Sequence, residues 1–115
     1  MELPAIDLAY QVEVLVDLLN IPSPTGFAHM AVDFVEKELR NYPELTITHT
    51  RKGALVATFP GEKADSPRAM TAHLDTLGAM IKEVKSNGRL KLTKIGGYAW
   101  NTVEGEGCTV FASHP

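Results

Sequence analysis

The chain has 115 residues, 44% hydrophobic and 22% charged, with a net charge of -3. That length fits about one domain, and the balanced charge lacks the basic stripe of a nucleic-acid binder. No apolar run approaches the roughly 20 residues of a membrane span, and Met1-Glu2-Leu3-Pro4 lacks the basic and apolar regions of a secretory signal.

Leu8, Val12, Leu15, Val16 and Leu19 recur at helical spacing and predict a first helix. Asp7 is its expected cap. It should end near Asn20, because Ile21 precedes Pro22 and is pushed out of helical geometry. Pro22 to Gly26 then reads as a stiff connector. A second helix is expected from about Phe27 to Asn41, with Thr25 as cap, an apolar face of Ala31, Phe34, Val35 and Leu39, and Pro43 enforcing the stop.

Period-two patterning follows. Leu45 to Thr50 and Ala54 to Phe59 read as a hairpin about Arg51-Lys52-Gly53. Pro60 to Pro67 reads as a polar loop, and Arg68 to His73 as a short strand buried inside a mixed sheet. Met80 to Lys85 and Arg89 to Lys94 flank Ser86-Asn87-Gly88, a strong local hairpin signal. A last strand is expected from Cys108 to Ala112. Cys108 is the sole cysteine, which excludes an intrachain disulfide. It suits a reducing compartment, and the expectation is a small buried apolar residue.

Thr71-Ala72-His73-Leu74-Asp75-Thr76-Leu77-Gly78 carries the sharpest chemistry. His73 stands where a strand passes into a loop, a common place for ligand sites in α/β proteins. Neutral imidazole suits zinc-like ions, and a metal-bound histidine usually gives its other N–H to a carboxylate. Asp75, two residues on, is the candidate carboxylate. The triplet alone leaves a satisfied structural histidine as the commoner reading, and one histidine cannot hold a catalytic metal that needs about three protein ligands. Glu104 and Glu106 beside Gly105 read as a solvated loop. His29 and His49 read as structural or exposed, and His114 as terminal. Ser23 and Thr25 have no paired base and do not read as nucleophiles. Tyr98 and Trp100 fit either an interface patch or packing of the later β unit.

Taken in order, Pro22-Ser23-Pro24-Thr25-Gly26 before a helix and Ala72 to Ile81 resemble the tetrahedral and glutamyl aminopeptidases, metallopeptidase family forty-two. The Asn87-Gly88 hairpin, Ile95-Gly96-Gly97 and Asn101 to Glu106 share that resemblance. It implies an α/β fold in which residues 1–77 form the N-terminal part of a mixed-sheet, zinc-exopeptidase-like catalytic domain. Residues 78–115 would begin an inserted all-β dimerisation domain. By position it implies His73 as a metal ligand and Asp75 as the supporting catalytic carboxylate of a two-metal site, zinc or cobalt, that hydrolyses peptides from the amino terminus. The implied bridging aspartate, Glu-Glu pair, further carboxylate and final histidine would lie beyond Pro115, so the isolated chain is expected to be inactive.

Further expectations are a peptide substrate, a homo-oligomer, a cytoplasmic location, and no nucleic-acid or membrane partner. A dipeptidase or deacylase of related fold, or a non-enzymatic assembly module, are the alternatives. Two helices and two other strands before Gly78 should leave apolar surface uncovered.

Overall fold

The computed structural model describes residues 5–63 and 65–112. Helix α1 spans Leu8–Leu19. The Asp7 carboxylate caps it by accepting the Tyr10 N–H at 3.0 Å. Helix α2 spans His29–Leu39. Its cap is Ala28, without a side-chain hydrogen bond. The expected Thr25 cap is therefore corrected: the Thr25 hydroxyl points elsewhere. The Tyr10 hydroxyl donates to Glu38 Oε2 at 3.0 Å and links the two helices. Hydrogen bonding with Tyr42 and with Glu38 pushes the Tyr10 phenol up to about 12.

Strands β1 (Thr46–His49) and β2 (Leu55–Thr58) pair antiparallel, from Thr46 opposite Thr58 to His49 opposite Leu55. Strands β3 (Gly78–Val84) and β4 (Leu90–Ile95) form a second antiparallel pair, with a register shift between Ile81 and Glu83. A short 3-10 helix, Trp100–Thr102, follows.

Both hairpins close with the same device. The Gly53 N–H bonds Thr50 O at 3.0 Å, and the Thr50 N–H bonds Ala54 O at 2.9 Å. In the second hairpin, Gly88 N–H meets Lys85 O at 2.9 Å and Lys85 N–H meets Arg89 O at 2.8 Å. Gly53 and Gly88 have φ of 82° and 78°, while no non-glycine residue among those described has positive φ. Each loop is thus a turn followed by one left-handed glycine, the three-residue hairpin form. The Asn87-Gly88 pair is not a two-residue turn, because Asn87 stays in the ordinary region and its Oδ1 accepts the Arg89 N–H at 3.1 Å.

Two expected strands are corrected. Residues 68–73 and 108–112 lie in neither ladder. A strand exists by virtue of its partner, and these segments find none among the described residues. In place of the expected mixed sheet, the described residues form two separate antiparallel pairs and one isolated parallel bridge, Pro24 to Thr76. Cys108 is exposed rather than buried. The exposed loop reading of Glu104 and Glu106 holds.

Little of the chain is buried. Among the described residues the buried set is Ala31, at 0% exposure, and Ser23, at 1%. The accessible surface is 10367 Å², against roughly 6,200 Å² for a compact protein of this mass. The radius of gyration is 18.9 Å, against roughly 13 Å for a compact chain of this length. The whole apolar face of α1 is open, with Leu8 and Leu19 each 67% exposed. The expected uncovered apolar surface is present.

Candidate metal-ligand site

The connector after α1 and the loop before β3 lie side by side although some fifty residues separate them in sequence. The Thr76 N–H donates to Ser23 O at 2.9 Å and makes the parallel bridge. The Ser23 hydroxyl donates to Leu74 O at 2.8 Å, with Thr76 Oγ1 3.2 Å away. No buried side-chain polar atom among the described residues lacks a partner. Proline at positions 22 and 24 holds this stretch extended, so Ser23 and Thr25 share one face.

Gly78 is required by the same approach. A Cβ placed there would stand 2.6 Å from Pro24 Cβ. The loop is also tied forward, because the Tyr98 hydroxyl donates to Gly78 O at 2.9 Å. Gly96, at φ 97°, lets its backbone approach Leu77, whose Cδ2 would lie 2.6 Å from an added Cβ. Tyr98 packs edge-on against Trp100 with ring centroids 5.7 Å apart. The aromatic pair therefore braces the β3–β4 hairpin.

His73 and Asp75 project from this braced loop. His73 Nδ1 lies 3.1 Å from Asp75 Oδ1 and 3.2 Å from Asp75 O. An ionised carboxylate only accepts, so Nδ1 is the donor here, and in the neutral ring Nε2 keeps its lone pair. The His73 side chain is 86% exposed, which leaves Nε2 open. The second carboxylate oxygen, Asp75 Oδ2, accepts the Thr25 hydroxyl proton at 2.6 Å. That hydrogen bond is the largest cause of an Asp75 carboxyl held below its ordinary value, and neighbouring His73 adds to it.

One imidazole nitrogen is free, and both oxygens of the adjacent carboxylate are already engaged. This is the arrangement by which a carboxylate orients a metal-bound histidine. No group of three or more His, Cys, Asp or Glu side chains converges among the described residues. His29 heads α2 and stacks edge-on with Phe27, their centroids 4.7 Å apart. His49 ends β1, with Nε2 2.8 Å from Glu36 Oε2. Both are accounted for locally, and His114 lies outside the described residues.

The sequence brought out His73 and Asp75 but missed Thr25 and Ser23 as their supports. The available signal was two hydroxyl residues flanking Pro24 at a spacing of two, opposite a glycine.

Comparison with known proteins converges on one family. The family model described as M42 glutamyl aminopeptidase matches residues 53–114, just over half of the chain. The chain belongs to the glutamyl aminopeptidase family. Among its relatives it is 44% identical over 98 residues to YhfE of Bacillus subtilis, covering 85% of this chain and 28% of that protein. It is 30% identical over 94 residues to SgcX of Escherichia coli, covering 81% of this chain and 25% of that protein. Both relatives carry provisional names as aminopeptidases. Identity to the lysyl aminopeptidase of Pyrococcus furiosus is 26% over 87 residues, 74% of this chain and 24% of that protein. The chain thus spans about a quarter of the length of the curated relatives it matches. No described helix is long and apolar enough to cross a membrane.

Proposed function

We propose that this chain is a segment of a metal-dependent aminopeptidase and supplies one metal ligand, His73, together with Asp75 as its orienting catalytic carboxylate. The observation that carries this reading is the exposed Nε2 of His73, left free because Nδ1 faces Asp75 at 3.1 Å. Family membership supports the reaction class.

Two divalent ions, zinc or cobalt, would supply when bound the acidification of a water and the neutralisation of developing negative charge. The chain's own part is preparatory. Asp75 fixes the His73 tautomer and aims its lone pair outward. Bracing of the loop by Ser23, Gly78 and Tyr98 limits how far that lone pair can wander. A catalytic metal needs about three protein ligands, so the isolated chain is expected to be inactive. The remaining ligands and the general base would come from sequence that this chain does not contain.

The same reading assigns residues 1–77 to a catalytic domain and residues 78–115 to the beginning of an inserted β dimerisation domain. It carries with it a peptide substrate, a homo-oligomer and a cytoplasmic location. The open apolar face of α1 favours association with further protein. A purely assembling module would use that face equally well, without using His73.

Cobalt(II) titration of the chain, followed by NMR, tests the ligand role. Paramagnetic broadening should centre on the His73 ring before reaching His29 or His49, and should disappear in His73→Ala. Broadening that ignores His73 would remove the basis for the metal reading.

A further inference from the structure

The connector between the helices touches the candidate ligand pair directly, and it does so through a side chain rather than through backbone alone. Thr25 Oγ1 donates to Asp75 Oδ2 at 2.6 Å, while Asp75 Oδ1 faces His73 Nδ1 at 3.1 Å. The three groups form one line: hydroxyl, carboxylate, imidazole. Each link has a fixed direction. The hydroxyl donates, the ionised carboxylate accepts on both oxygens, and the imidazole N–H donates.

We propose that Thr25 is a positioning residue that orients the Asp75 carboxylate and thereby selects the Nδ1–H tautomer of His73, leaving Nε2 free for a metal ion. The inference deepens the metal-ligand reading and rests on it for its purpose, though not for its geometry.

Asp75 has one side-chain torsion about Cα–Cβ and one about Cβ–Cγ. The His73 contact restrains only one oxygen, and the carboxyl is 42% exposed, so water competes for the other. A donor on Oδ2 fixes the plane of the group. Thr25 can serve because its own backbone is held. Pro24 beside it makes the parallel bridge to Thr76, and Ser23 on the other side of Pro24 is anchored to Leu74 O. Gly26, at φ 88°, turns the chain away immediately afterwards, and Phe27 N–H closes that turn on Pro24 O at 2.7 Å. The hydroxyl is thus delivered by a stapled segment. Its β-branched side chain is stiff about the first torsion, which further narrows its range.

Free imidazole in water favours the Nε2–H tautomer, so selection of Nδ1–H is a measurable inversion. The test is a nitrogen-15 NMR measurement of the His73 ring in the metal-free 115-residue chain, assigned by comparison with His73→Gln. Thr25→Val removes the donor at nearly constant shape, and Thr25→Ser keeps it. The unsubstituted chain and Thr25→Ser should show Nδ1–H at His73. Thr25→Val should move towards Nε2–H, and zinc affinity at His73 should fall roughly tenfold, the low end for a partner outside the ligand itself. Hydrogen exchange at the Thr76 amide, bonded to Ser23 O, reports whether the staple survives each substitution.

Retention of Nδ1–H in Thr25→Val would overturn the proposal. So would an Nε2–H tautomer in the unsubstituted chain, or equal loss in both variants accompanied by faster Thr76 exchange. A tautomer that follows the hydroxyl while zinc leaves His73 unperturbed would uphold the positioning role and defeat the metal-ligand reading instead.

Discussion

Helix α1 and the stapled connector that follows it are neighbours in sequence and opposites in construction. The helix has a continuous apolar face that touches little, with Leu8, Val12, Leu15, Val16 and Leu19 all more than half exposed. The connector is held by hydrogen bonds and close approach: Ser23 within it is only 1% exposed and hydrogen-bonded to Leu74 O, and the half-buried Pro24 ring sits against Gly78. Order at the candidate site therefore comes from polar bonds and close backbone approach, whereas the helix displays surface suited to cover by further protein. A few polar bonds across fifty residues can shape a loop, but the hydrophobic burial that stabilises a domain is cooperative and needs packed layers.

The sharpest way to break this contrast is Gly78→Ala. Its new Cβ would fall 2.6 Å from Pro24 Cβ, on a rigid ring. The loop and connector should separate, at a cost of about 1–3 kcal/mol typical of overpacking. The Thr76 amide should then exchange faster, while amides in the β3–β4 ladder beyond the first pair should change little. Ser23→Ala attacks the same staple by removing the donor to Leu74 O. Losing a part-buried hydrogen bond costs about 1 kcal/mol, and exchange at Thr76 should rise again while α1 helicity stays constant by circular dichroism.

A pH titration probes a second polar contact, between α2 and the end of β1. Glu36 on α2 is held below its ordinary value of 4.5 by a hydrogen bond from Arg40 and then one from His49 at the end of β1. Because its folded value is depressed, its stabilising effect is complete above the unfolded carboxyl value and is lost as pH falls through the folded one. The α2–β1 contact should thus survive acidification to below pH 4.5. Carbon-13 shifts of the Glu36 carboxyl follow the titration in the unsubstituted chain, and Glu36→Gln should abolish the matching acid-range change in the proton shifts of His49. The smallest expected effect is Asp7→Ala. It removes the 3.0 Å cap on α1 and should cost about 1 kcal/mol of helix stability, visible as fraying of the first turn without change at Thr76.

Local chemistry was legible in the sequence and partnership was not. The α1 pattern with its Asp7 cap, and both hairpins about Gly53 and Gly88, follow from residues within a few positions of one another. The turn type at Asn87-Gly88 was less legible, since the same pair serves a two-residue or a three-residue loop and Asn87 kept negative φ. Arg68 to His73 and Cys108 to Ala112 have strand-like composition, but a ladder depends on a neighbour that these residues do not meet. At the site, His73 and Asp75 stand two apart and read together. Thr25 lies fifty residues before Asp75, and its short polar side chain looked equally suited to capping α2. Nothing in a local pattern separates those roles.

The proposed role of His73 as a metal ligand of an aminopeptidase can be tested in a full-length relative. The most direct measurement grafts the 98 aligned residues of this chain into YhfE, which shares 44% identity over them. Metal content and hydrolysis of aminoacyl anilides are then compared with and without His73→Ala, alongside unaltered YhfE. The graft should be metal-loaded, hydrolyse the substrates, be silenced by a chelator, and lose metal and activity together on His73→Ala. A graft that keeps its full metal content and activity after His73→Ala would contradict it.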